Sequence, residues 1–129
     1  MGRSLTTSAD ALVADTFTVG EGEEVLITAD TDTAPEVAAA IMDSALRCGA
    51  RASVMTLPRL PFQGLLADPY LPAALAGAAM AADVWIDLTF PYIAGAKLHD
   101  EVMKAGKARY LLLGDVGPDN LARLYGRAD

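Results

Sequence analysis

Three aspartates stand where a sheet would end. Asp30 and Asp32 lie in the polar string Ala29-Asp30-Thr31-Asp32-Thr33, directly after the apolar run Glu24-Val25-Leu26-Ile27-Thr28. Asp87 lies inside a second apolar run, Asp83-Val84-Trp85-Ile86-Asp87-Leu88-Thr89-Phe90. Carboxylates of this kind suit a hard divalent cation such as Mg²⁺. Aspartates just ahead of a helix also have a plainer use, capping its free N–H groups and complementing its dipole. For Asp87 the alternatives are a buried carboxylate with a partner, which marks a functional site, and an ordinary strand-end or edge position.

His99 is the sole histidine, so this chain by itself cannot build a two-His-one-carboxylate iron site or a three-His zinc site. Proton transfer from a helix after the third strand remains open to it, beside the plainer reading of a surface imidazole. Its neighbours Asp100 and Glu101 do not share its helix face. Cys48, the only cysteine, falls at helical spacing with Val37, Ala40, Ile41 and Ala45, which favours packing over nucleophilic work. Ser44 and Ser53 show no base and orienter, so a hydrolytic triad is not expected.

The elements that must position these groups alternate. Strands are expected at Glu24 to Thr28, Arg51 to Thr56, Asp83 to Phe90 and Arg109 to Leu113. Between them, Thr33-Ala34-Pro35-Glu36 has the spacing of a capping box that opens a helix closed by Gly49. Asp68-Pro69 is expected to cap and start an alanine-rich helix running to about Ala82, and Gly95 to Ala105 a third, stopped by Gly106. Residues 1–19 read as a helix or arm, and Asn120 to Tyr125 as a last helix. This order predicts a single α/β domain: a doubly wound, mostly parallel four-stranded sheet with helices on both faces, Rossmann-like or flavodoxin-like. If the first and third strands are neighbours, strand order reverses between them, and the ligand crevice falls between Asp30-Thr31-Asp32 and Thr89-Phe90-Pro91-Tyr92. That loop lacks the glycines a phosphate cradle needs, which disfavours a dinucleotide.

Composition narrows the partners. Ten Lys and Arg against 17 Asp and Glu give a net charge of −7, which opposes nucleic-acid binding. Tyr70 to Phe90 is the most membrane-like stretch, but it carries Pro72, Asp83 and Asp87, so no membrane span is expected. With one cysteine and no charged-then-apolar leader, the expected compartment is cytoplasmic.

Gly22-Glu23-Glu24-Val25-Leu26-Ile27-Thr28-Ala29-Asp30, the helix start Pro35-Glu36-Val37-Ala38, and Ala82-Asp83-Val84-Trp85-Ile86-Asp87-Leu88-Thr89 resemble the amino-terminal α/β domain of metal-dependent leucyl aminopeptidases of the thermophilic type. That superfamily includes 2,5-dihydroxypyridine 5,6-dioxygenase, a ring-opening non-haem iron enzyme. The resemblance covers roughly residues 20–125. It implies that the metal ligands belong to a carboxy-terminal domain, for which the sequence, ending at Gly126-Arg127-Ala128-Asp129, has no counterpart. It further implies that Asp87, Thr89, Phe90 and Tyr92, with Asp30 and Asp32 opposite, face a substrate or a domain interface. His99 stands beyond Gly95, near which relatives carry a histidine, and is the catalytic candidate on that basis.

The leading expectation is therefore the small subunit of a split metalloenzyme, inactive alone. It would hold no cofactor itself, and would dock with a larger chain bearing Fe or another divalent metal to wall a site for a small aromatic or peptide-like substrate. The alternatives are a non-catalytic α/β binding module that self-associates, and a self-sufficient carboxylate-metal enzyme using Asp30, Asp32 and Asp87.

Overall fold

The computed structural model describes residues 2–113. Helix α1 (Gly2–Asp10) runs into a π-helical turn (Ala11–Thr16), followed by β1 (Glu24–Asp30), α2 (Pro35–Arg47) and β2 (Arg51–Leu57). A 3₁₀ segment (Gly64–Tyr70), α3 (Ala73–Ala81), β3 (Val84–Asp87), α4 (Lys97–Ala105) and β4 (Arg109–Leu112) complete the order. All four strands are parallel, in the spatial order β2-β1-β3-β4. The expected α/β sheet is present, and the first and third strands are neighbours, which puts the reversal of strand order between them.

Period-two alternation gives each side of the sheet its own core. Val25, Ile27, Val84 and Ile86 pack with Leu12 and Val13 of the first helical segment and with Val37, Ile41 and Ala45 of α2. Leu26 and Trp85 point the other way, onto Leu75 and Ala79 of α3, Ala67 of the 3₁₀ segment and Val102 of α4. Ser44 and Arg47 both donate to Asp10 at 2.6 Å, tying α2 to the end of α1. No described helix is long and apolar enough to cross a membrane.

The structure corrects the reading of several element ends. Ala34, not Thr33, caps α2, and no side chain bonds its first turn, so the expected capping box does not form. Thr33 Oγ1 is turned instead toward β1, accepting from the Asp30 N–H at 2.9 Å. Asp68-Pro69 does not start α3. Pro72 does, while Asp68 reaches across to accept the first N–H of α4, from Lys97 at 2.9 Å. β3 stops at Asp87 rather than Phe90: Leu88 N still reaches Thr28 O at 2.7 Å, but the two amides after it bond to carboxylates, Thr89 N to Asp87 and Phe90 N to Asp30. α4 opens at Lys97, two positions after the expected Gly95. Gly49 and Gly106 do end α2 and α4 at positive φ, +84° and +77°. Cys48 follows α2 and packs half-buried against the core. The expected helix near Asn120 to Tyr125 lies outside the described residues.

Candidate functional site

Asp87 ends a central strand and has no exposure to solvent. Its register partner on β1 is Thr28, also fully buried, whose Oγ1 donates to Asp87 Oδ1 at 2.9 Å. Thr89 returns over the strand end to donate to the same oxygen from its N–H at 3.1 Å and its hydroxyl at 2.6 Å. The other oxygen, Oδ2, accepts from the Ile93 N–H at 3.2 Å and from the Tyr110 hydroxyl of β4 at 2.5 Å. Behind Thr28, the indole N–H of Trp85 donates to Oγ1 at 3.0 Å, so Trp85, Thr28 and Asp87 form one directed chain of hydrogen bonds. Burial first, then the charge of Asp87, pushes the Tyr110 pKa far above its usual value, which keeps that hydroxyl a donor. A carboxylate so surrounded joins β1, β3, β4 and the loop before α4. Its five donors fill the roughly four acceptor sites of a carboxylate, so both oxygens are engaged within the fold.

His99 lies beside this knot without joining it. Its ring meets Tyr110 edge-on, with centroids 4.4 Å apart, and lies 6.1 Å from Trp85. Nδ1 accepts a long bond from the Gly95 N–H at 3.4 Å, while Nε2 is buried with no hydrogen-bond partner. Burial lowers the imidazole pKa below its ordinary 6.5, outweighing the opposing pull of Asp87 and Asp100. The ring is neutral near pH 7 and packs as an aromatic, unlike the surface imidazole weighed from the sequence.

The second pair of carboxylates is separate. Asp30 is buried, and its Oδ1 accepts from Asp32 N at 2.8 Å and from the Thr33 hydroxyl at 3.2 Å. Its Oδ2 accepts from Phe90 N at 2.9 Å. Asp30, expected in the loop, is the last residue of β1; it ties the strand end to the β3 loop across the reversal point and caps no helix. Asp32 turns outward to an exposed ion pair with Arg59 at 2.7 Å. The crevice expected between the two loops is consequently nearly closed: about 40 Å³ remains, lined by Asp30, Asp32, Thr33, Arg59, Leu88 and Phe90. A wider, open groove of about 330 Å³ lies to one side, bounded by Ala29, Asp30 and Thr31 at the end of β1, by Ala38 and Met42 of α2, and by Val54 and Thr56 of β2.

The structure thus joins Asp87 to Thr89 and Asp30 to the Phe90 backbone. Phe90 and Tyr92 form a tilted ring pair at 6.2 Å, with Phe90 exposed. Asp32 joins the Asp30 group through its N–H while its carboxylate turns away to Arg59, and His99 packs on Tyr110 without a hydrogen bond to Asp87. Among the described residues no three His, Cys, Asp or Glu side chains come together as metal ligands. Thr28, Trp85 and Tyr110 were not singled out by the sequence reading. Only the strand register brings them to Asp87, although a tryptophan in a buried strand signals an acceptor nearby for its N–H.

No family model matches the chain, and comparison with curated proteins finds no match. Among solved structures, 2,5-dihydroxypyridine dioxygenase from Pseudomonas putida KT2440 is similar, with a TM-score of 0.75 and 21% identity. The match covers 97% of this chain and 38% of the dioxygenase chain. At that identity the likeness is one of fold: this chain has the architecture of part of a dioxygenase.

Proposed function

We propose that this domain forms one wall of a metalloenzyme active site, docking with a larger chain that bears Fe or another divalent metal. The observation that carries this reading is the coverage of the fold match, in which nearly all of this chain corresponds to 38% of a dioxygenase. The carboxylates support it from within. The oxygens of Asp87 and Asp30 are bonded inside the fold, and the described residues offer no ligand set, so they do not fit a metal of their own. Redox or Lewis-acid chemistry would then belong to the partner. This chain would contribute the loop surface at the carboxyl ends of β1 and β3, with Asp32, Phe90 and Tyr92, against a small aromatic or peptide-like substrate. The carboxyl-side segments also expose large apolar groups suited to burial at an interface: Leu65 is 69% exposed, Leu66 67% and Phe62 50%.

Native mass spectrometry with metal analysis, on the chain isolated gently from its own source, tests this reading. The expected result is a stoichiometric larger partner carrying a divalent metal. Oxygen-dependent consumption of 2,5-dihydroxypyridine, or peptide release, should occur only in the complex. Isolation of the chain with no metal-bearing partner would contradict it.

A further inference from the structure

His99 holds the loop ahead of α4 through the one ring atom that protonation changes. Nδ1 accepts from the Gly95 N–H at 3.4 Å, so in the neutral ring the proton sits on Nε2, which is enclosed with no acceptor among the described residues. That bond folds the loop back onto the first turn of the helix. Gly95 takes a φ of +92°, and a Cβ added there would stand 3.3 Å from Gly64 Cα, so two backbones lie directly against each other. Beside this contact Asp68 accepts from Lys97 N at 2.9 Å, fastening the 3₁₀ segment to the start of α4. The loop under His99 is therefore in backbone contact with the segment that carries the exposed Leu65 and Leu66.

The geometry points to His99 as an acid-released pin: protonation turns its ring away from Tyr110 and frees the Gly95 loop together with the Gly64 end of the 3₁₀ segment. The cause is a reversal of hydrogen-bond sense. Imidazolium donates at both nitrogens, so Nδ1–H would face the Gly95 N–H donor against donor, while Nε2–H stays enclosed without an acceptor. A neutral ring that turned out would lose one long bond and its aromatic contacts. A charged ring that turns out escapes two opposed donors and an unpaired buried charge.

The charged groups around the ring do not hold the cation in place. Asp87 on β3 and Asp100 on α4 favour it, but both Asp87 oxygens are engaged by other donors, and Asp100 is exposed and paired with Lys104 at 3.1 Å. Tyr110 on β4 spends its hydroxyl proton on Asp87, and Asp68 on the 3₁₀ segment is committed to the Lys97 N–H. Burial prevails and holds the imidazole below its ordinary 6.5. The pin is therefore closed at neutral pH and opens as pH falls through the folded-state value. This device belongs to the chain by itself and does not depend on the docking proposed above.

The test is an NMR titration of the purified chain from about pH 8 to about pH 5. At the upper end the ring nitrogens should report the Nε2–H tautomer, and the His99 ring protons should show cross-relaxation to the Tyr110 ring. On acidification that cross-relaxation should be lost, and the amides of Gly95, Gly64 and Leu65 should shift with the same midpoint as the imidazole, below 6.5. The amide of Ile41 in α2, on the other side of the sheet, should not follow. His99→Asn keeps an acceptor that takes no proton, so Gly95 and Gly64 should no longer respond to pH. An Nδ1–H tautomer at the upper end, a protonated ring that stays against Tyr110, or Gly64 and Leu65 amides that ignore the His99 titration would overturn the inference. So would a transition shared by Ile41, which would mean unfolding of the whole chain rather than release of one loop.

Discussion

The end of β3 and the edge of β2 treat polar groups in opposite ways. At Asp87, five donors from two other strands and the following loop converge on one carboxylate and engage both its oxygens. Along β2, backbone groups and half the side chains face outward, and Val54 remains 37% exposed. The centre of the sheet therefore satisfies its polar groups internally, while its edge turns part of its backbone to solvent. A buried acid in an α/β sheet is accordingly an ambiguous sign of catalysis, because the same burial that would tune an acid also suits a structural knot. The hydrogen-bond count supports the structural knot here.

Breaking the knot should have the largest effect. Asp87→Asn sets an amide N–H₂ among donors and leaves several of them unsatisfied. At about 1–3 kcal/mol for each such group, the loss of stability should exceed about 4 kcal/mol in urea unfolding. Tyr110→Phe removes a single donor and keeps the ring against Trp85 and His99, so about 1–2 kcal/mol is expected. A result for Tyr110→Phe as large as that for Asp87→Asn would mean that the tyrosine, not the carboxylate, holds the strands together.

The histidine sharpens the same contrast through pH. Its pKa in the folded chain is lowered from 6.5 by burial, so the unfolded chain takes up the proton first as pH falls. The contribution of neutral His99 is present above about pH 6.5, is lost progressively below it, and levels off beneath the folded-state pKa. Urea midpoints followed from about pH 8 to about pH 5 should show this step, and His99→Phe should remove it. On the exposed side, Arg59→Ala breaks only a surface ion pair and should change stability by no more than about 1 kcal/mol. A larger loss there would place Asp32 and Arg59 within the structural core of the loop rather than at its rim.

The strands were legible because Val25-Leu26-Ile27 and Val84-Trp85-Ile86 are apolar on both faces, as strands covered on both sides must be, whereas the adjacency of β1 and β3 was only a condition of the crevice argument. Gly49 and Gly106 were legible for a local reason, since only glycine takes positive φ readily. Helix starts were not, because the same residues had competing partners in space. Thr33 bonds within the β1 loop instead of capping α2, and Asp68 caps α4 instead of opening α3. The crevice position followed from topology, but its closure did not. Asp30 bonds a backbone N–H 60 residues away, a contact that no local pattern encodes. The partners of Asp87 were hidden for the same reason, since Thr28 and Tyr110 reach it only through the register of three strands.

The proposed function requires that the oxygens of Asp30 and Asp87, engaged within the fold, are not metal ligands and that a metal, where the enzyme uses one, belongs to the partner. Calorimetric titration of the purified chain with Mn²⁺ and with Fe²⁺ under anaerobic conditions tests it most directly. The account predicts no stoichiometric binding to Asp30, Asp32 or Asp87. One-to-one binding abolished by Asp30→Asn, Asp32→Asn or Asp87→Asn, in a variant that remains folded, would contradict it.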